Sequence, residues 1–144
     1  MTLERNNVQK RVRSLIENCK EKSRSRRDKV ALAEHLGMSV LNNVVSPVTK
    51  TLAAVLKTEG YHFSVSTPID TVRLSAKNST DDFIDVTLDT QREPPGLIGQ
   101  VSRRWGRRVL VDEYTVCEDT SFADLTEEAV LDFFLSVLEP FLER

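Results

Sequence analysis

The sequence predicts an α+β protein with N-terminal helices, an antiparallel β-meander of about five strands, and a C-terminal helix packed on one sheet face. Three observations lead to this prediction. Apolar residues recur with the period of a helix up to Gly60, alternate with the period of a strand from Phe63 to Cys117, and return to the helical period after Thr126. We expect a single domain over residues 1–144, with a compact core over 30–144 and a basic amphipathic helix over 1–29 that projects or dimerises.

The amphipathic helix is predicted from one apolar stripe in the first segment, which consists of Val8, Val12, Leu15, Ile16 and Cys19. Over residues 20–29 the stripe stops and basic side chains dominate, so we expect a solvent-exposed helix end or a linker there. The stripe gives each chain a surface that a second copy can use, since a two-fold contact uses the same surface twice. Homodimerisation is therefore predicted.

Charge is distributed unevenly along the chain, although the net charge is only −2. Residues 1–30 contain ten basic and four acidic side chains, whereas residues 111–144 contain ten acidic side chains and one basic side chain. The two ends either complement each other, within a chain or between subunits, or the basic end presents a surface to an acidic partner.

A short second helix is predicted from Val30 to Gly37, where glycine suits the end of a helix. The sequence of residues 32–39, Leu-Ala-Glu-His-Leu-Gly-Met-Ser, resembles the first helix and turn of a helix-turn-helix. The matching positions are Ala33, Leu36, Gly37 and Met38. The resemblance implies a DNA-reading unit, but it covers eight residues. Asn43, Ser46 and Pro47 depart from the recognition helix that should follow.

The next elements are bounded by clear start and stop residues. Ser46 and Pro47 predict a helix start, with Ser46 as the cap, and Gly60 predicts its end. Five strands are then predicted, separated by turns and by a loop with two prolines; the last two run from about Leu97 to Arg104 and from Arg107 to Cys117. The C-terminal helix begins at Thr126 with an acidic first turn. The predicted core is aliphatic with one aromatic ring, and consists of Val48, Leu52, Leu56, Val72, Leu74, Ile84, Val86, Leu88, Val130, Phe134 and Leu138.

No catalytic site is predicted. His35 and His62 have no partner at the spacing of a metal site or a triad, and the two cysteines have no close spacing. The best metal-binding alternative is the acidic strand with Asp81, Asp82, Asp85 and Asp89, where Asp85 and Asp89 lie on one face and Lys77 is on the preceding strand. The other interpretation of these carboxylates is a solvent face that prevents edge aggregation. We therefore predict a protein that is not an enzyme and has no cofactor and no metal.

The predicted functional site is a hairpin tip that surrounds an aromatic ring with basic residues: Arg103, Arg104, Trp105, Arg107 and Arg108. Arginine and tryptophan are enriched at binding hot spots, so a protein partner is predicted. The alternative is a nucleic acid, contacted by the same hairpin and by the basic residues Lys22, Arg24, Arg26 and Arg27. No signal peptide or membrane span is recognised in the sequence, and a cytoplasmic location is expected.

Overall fold

The computed structural model describes residues 2–143 and confirms the predicted α+β fold. The N-terminal part consists of α1 (Arg5–Val40), a π-helical turn (Leu41–Val45) and α2 (Ser46–Thr58). The strands are β1 (Phe63–Ser66), β2 (Thr71–Ala76), β3 (Phe83–Asp89), β4 (Gly96–Trp105) and β5 (Arg108–Glu118). A short 3-10 helix (Asp119–Asp124) leads to α3 (Glu127–Leu142).

The tertiary contacts divide the chain into two units, one ending at Leu32 and the other beginning at Ala33. In the first unit every described side chain is exposed except that of Val30, which is half-buried. The apolar stripe predicted on this helix is therefore exposed as well. None of the helices among residues 2–143 combines the length and the apolar character that a membrane span requires.

The second unit is built on a five-stranded antiparallel sheet in the order β1-β2-β3-β4-β5, as predicted for a meander. One face of the sheet is apolar, because alternate residues of each strand point to the same side, and this face packs against α2 and α3. All eleven residues predicted for the core are buried. Additional buried residues lie in the π-helical turn, in β4, in the 3-10 helix and at the end of α3, namely Leu41, Val45, Leu97, Val101, Phe122, Val137 and Phe141.

The prediction of a helix end or linker over residues 20–29 is wrong where it implies that the helix stops. The chain stays helical from Arg5 to Val40. Lysine, arginine and glutamate are good helix formers, and no proline or glycine occurs in this stretch, so backbone propensity continues the helix after the apolar stripe has ended.

Gly37 does not end a helix; it lies buried inside α1, and the predicted turn of a helix-turn-helix does not form. A glycine is required here by close packing. A Cβ atom at position 37 would lie 2.4 Å from Cδ1 of Leu88 on β3. The match to the helix-turn-helix pattern therefore reflects helix–sheet contact, and it gives no support for a DNA-reading unit.

The boundary at Ser46 and Pro47 also differs from the prediction. Ser46 is buried and makes no side-chain capping bond, because the helical path is already established in the preceding turn. Proline in a continuous helix lacks an N–H group and crowds the carbonyl one turn earlier. The π-helical turn Leu41–Val45 widens the backbone at this point and accommodates Pro47. The predicted end at Gly60 is confirmed, with α2 stopping at Thr58 and Gly60 at φ +92°.

Candidate functional site

The predicted arginine-rich tip is the turn between β4 and β5, and we call residues 103–108 the arginine hairpin. Trp105 pairs with Arg108, so only Gly106 and Arg107 form the connection. Gly106 has φ +63°, as required at the first central position of a type II′ turn. This turn matches the twist of the flanking strands, so the local sequence fixes where the basic side chains emerge.

The base of the arginine hairpin is held to the turn between β2 and β3. The backbone N–H of Arg104 donates to Oδ1 of Asp82 at 2.8 Å, and its guanidinium lies 3.2 Å from Oδ2 of Asp81. The hydroxyl of Ser102 donates to the backbone carbonyl of Asp81 at 2.7 Å. Asp82 is buried, which makes its bond to the strand backbone a structural one. These contacts hold the β4 end of the hairpin in place.

Trp105 lies beyond these contacts and is 68% exposed. Arg103, Trp105 and Arg108 share one face of the hairpin, since Trp105 is directly opposite Arg108 and Arg103 is two residues away along β4. Over residues 2–143, neither Arg103 nor Arg107 nor Arg108 forms an ion pair. The arginine hairpin therefore presents an indole ring beside three guanidinium groups that lack an acidic partner within the described chain.

The other basic residues predicted as contacts lie in the first unit. Lys22, Arg24, Arg26 and Arg27 are all on α1 and all exposed. The Nε of Arg27 donates to the carbonyl of Ser23 at 3.4 Å, and this is a bond within the helix. These side chains are accessible, but nothing in their geometry selects a particular ligand.

Asp85 and Asp89 do not form a metal site. Both lie on β3, four residues apart, which at about 3.3 Å per residue separates them by about 13 Å, too far to share one cation. Asp85 is 4% exposed and is bound at both oxygens by Arg73, at 2.7 and 2.9 Å. Asp89 accepts the backbone N–H of Gln91 at 3.0 Å. The described residues contain no group of three side chains arranged to hold a metal ion.

The Arg73–Asp85 pair belongs to a polar row across the open face of the sheet. In register, Arg73 lies opposite Asp85, Asp85 opposite Gln100, and Gln100 opposite Glu113. The Arg73 guanidinium also lies 4.1 Å from the centre of the Phe83 ring. The hydrogen bond to Asp85 raises the pKa of Arg73 above its usual value, although partial burial opposes this shift. This row was not recognised in the sequence, because its pairs depend on strand register.

Within residues 2–143, neither the histidines nor the cysteines belong to a group of three side chains that could hold a metal ion. His35 and His62 are exposed. Cys19 is exposed and Cys117 is half-buried. Burial raises the pKa of the Cys117 thiol to about 11, with a smaller opposing effect from its hydrogen bond to the backbone of Leu97. Since the thiolate is the nucleophilic form, Cys117 is a poor nucleophile at neutral pH.

Searches of known protein families, of characterised proteins and of solved structures found no match to this chain.

Proposed function

We propose that this protein is a non-enzymatic interaction module that binds an acidic surface of a protein partner through the arginine hairpin. The observation that carries the proposal is the exposure of Trp105 beside Arg103, Arg107 and Arg108, none of which has an acidic partner among residues 2–143. A cytoplasmic location and the absence of a cofactor are part of the same proposal.

The first support is energetic. An exposed indole keeps a large apolar area in water, and covering it by a partner stabilises a complex by about 25 cal/mol for each Å² of apolar surface buried. Tryptophan and arginine are the side chains that most often dominate binding energy at protein interfaces. The arginine hairpin brings both types together on a defined turn.

The second support is preorganisation. Arg104 is hydrogen-bonded through its backbone to buried Asp82, and Gly106 fixes the turn. A tip that is already ordered loses less conformational entropy on binding than a disordered loop does. Guanidinium groups on such a tip can bind carboxylates through two parallel hydrogen bonds.

The test is a comparison of two exposed apolar side chains in affinity capture from the source cell. Trp105→Ala should lose a protein that the wild-type chain retains, while Ile69→Ala should retain it, since Ile69 is 91% exposed in the turn before β2 and far from the arginine hairpin in sequence. The captured protein, once purified, should bind Trp105→Ala at least about tenfold more weakly than wild type. Equal binding by all three chains would refute the role of Trp105.

A second candidate function is nucleic-acid binding, which the exposed residues Lys22, Arg24, Arg26 and Arg27 favour. Phosphate binding requires local positive charge, and its affinity falls steeply with salt. The calculated isoelectric point of about 5.7 and the acidic α3 favour the protein partner instead. Fluorescence anisotropy with a duplex DNA and a single-stranded RNA distinguishes the two. Salt-sensitive binding that weakens when Arg103 and Arg107 are both changed to Ala would establish the nucleic-acid function in place of the protein one.

A further inference from the structure

The outer edge of β5 has the properties of a pairing surface. β5 is the last strand in the sheet order, and it is 11 residues long, whereas the strand at the opposite edge has 4. Long edge strands present unpaired backbone N–H and C=O groups, and proteins usually shorten, cover or block them. Val109 and Val111 are exposed on this edge, and β5 contains no proline. The edge is therefore open to another strand.

Charged side chains lie symmetrically about the apolar centre of β5. Arg108 is two residues before Leu110, Asp112 is two residues after it, and Val109 and Val111 flank it. All of these side chains are exposed except that of Leu110, which is half-buried. Neither Arg108 nor Asp112 forms an ion pair with any of residues 2–143. When two copies of this segment run antiparallel, the basic residue of each copy therefore lies opposite the acidic residue of the other.

We propose that β5 pairs antiparallel with β5 of a second copy of this chain about a two-fold axis at Leu110. In this register Arg108 lies opposite Asp112 of the second copy, and the symmetric contact repeats the pair, since a two-fold interface uses each contact twice. Val109 lies opposite Val111 of the second copy, and the two Leu110 side chains meet at the axis. The two sheets become one sheet of ten strands.

Backbone geometry agrees with this register. In a two-residue hairpin the residues that flank the turn, here Trp105 and Arg108, exchange hydrogen bonds, and the hydrogen-bonding pattern then alternates along the strand. Val109 and Val111 consequently direct their backbone groups away from β4. Pairing about Leu110 places these two residues opposite each other, where they can exchange hydrogen bonds between the copies.

Other registers lose the charge complementarity. Pairing about Val111 places Arg108 opposite Tyr114 and Val109 opposite Glu113. Pairing about Asp112 places this carboxylate against its own copy, and like charges directly opposite each other destabilise a sheet. The Leu110 register alone among these three forms two pairs of opposite charge around an apolar centre. The charges on β5 therefore select a second copy of the chain rather than preventing its approach.

The test is a charge-swap experiment on the full chain, with mass measured by light scattering and by native mass spectrometry. When the wild-type chain is concentrated to about 100 µM, the measured mass should reach that of a dimer. Arg108→Asp and Asp112→Arg should each weaken the dimer at least about tenfold, because each converts two attractive pairs into two repulsive pairs. An equimolar mixture of the two variants should form a heterodimer, and the double variant Arg108→Asp/Asp112→Arg should form a homodimer again. Lys77→Asp, an exposed charge reversal in the turn before β3, should dimerise like wild type.

The mixture separates pairing from folding, since a variant that fails to fold cannot be restored by the other. A monomeric wild type, or a dimer that neither variant weakens, would overturn the proposal. The same holds if both variants lose the dimer and their mixture does not recover it. The proposed dimer and the proposed binding site share Arg108, and Trp105 on β4 distinguishes them: Trp105→Ala should leave the dimer intact while it abolishes partner capture.

Discussion

Substitution of Gly37 by alanine tests the packing of α1 on β3, which replaces the turn implied by the helix-turn-helix resemblance. The added Cβ would lie 2.4 Å from Cδ1 and 3.0 Å from Cδ2 of Leu88. Because Leu88 is buried, its side chain can move only by disturbing the core. Overpacking of this kind costs about 1–3 kcal/mol.

The helix itself favours the substitution. A helix with alanine at an interior position is more stable than one with glycine there by about 1 kcal/mol. The two effects oppose each other, so Gly37→Ala in the wild-type background should lower the free energy of unfolding by about 0–2 kcal/mol. The stability of this single variant therefore does not separate crowding by Leu88 from the gain in helix propensity.

A double-mutant cycle separates the two effects. Leu88→Ala alone should cost about 2–5 kcal/mol, and it also removes the atoms that crowd position 37. In this background Gly37→Ala should stabilise the protein by about 1 kcal/mol, which corresponds to a coupling of about 1–3 kcal/mol between the two sites. Urea unfolding followed by circular dichroism measures all four chains.

Gly60 provides the matched control. It has φ +92° and open space where a Cβ would be, so Gly60→Ala should cost about 1–2 kcal/mol of backbone strain in both backgrounds. An effect of Gly37→Ala that is the same with Leu88 and with alanine at position 88 would refute the packing of α1 on β3 at this point.

Two further predictions concern the Arg73–Asp85 pair and the two cysteines. Arg73→Met should lower the free energy of unfolding by about 1–3 kcal/mol, because it leaves buried Asp85 without its bidentate partner, and Arg73→Met/Asp85→Leu should recover most of this loss in the same urea assay. The partial exposure of Arg73 keeps the expected cost below that of a fully buried pair. Maleimide should modify exposed Cys19 well before Cys117 at pH 7. Since the folded-state pKa of Cys117 is raised from 9.0 to about 11, stability should fall as pH rises from 9 to 11, and Cys117→Ala should reduce this fall; equal labelling rates or an unchanged pH profile would contradict the assigned burial.

The sheet and its core could be predicted because local patterns determine them. Alternation of apolar residues, for example Ile84, Val86 and Leu88, identifies both the strand and its buried face, and turn residues separate one strand from the next. The same reasoning identified α3, where the Thr126 side chain accepts the N–H of Ala129 as a helix cap.

The helical region was harder to predict because its boundaries depend on tertiary contact. Gly37 is of the residue type that commonly follows a helix, but here it is the point where α1 approaches Leu88. Pro47 is accommodated by a π-helical turn that no local pattern indicates. A glycine signals both a helix end and a close approach, and only the opposing strand distinguishes the two.

The turn of the arginine hairpin could be predicted from the sequence, whereas the contacts of its side chains could not. The order Arg-Arg-Trp-Gly-Arg-Arg indicates a basic turn, and the structure forms the turn there. That Arg104 would contact Asp81, while Arg103 would have no acidic partner over residues 2–143, depends on the neighbouring β2–β3 turn and on strand register. The charge order around Leu110 is present in the sequence, but its meaning requires that β5 lie at the edge of the sheet.

The exposure of Trp105 is the property on which the proposed binding function depends most directly, and fluorescence measures it without interference because the chain has one tryptophan. Acrylamide quenching of the folded wild-type chain should approach that of the chain unfolded in urea, since Trp105 is 68% exposed. Addition of the captured partner should then shift the emission to shorter wavelength and protect the ring from the quencher. Short-wavelength emission and strong protection in the folded chain alone would show a ring buried by the protein itself, and would contradict the account of the arginine hairpin as a binding site.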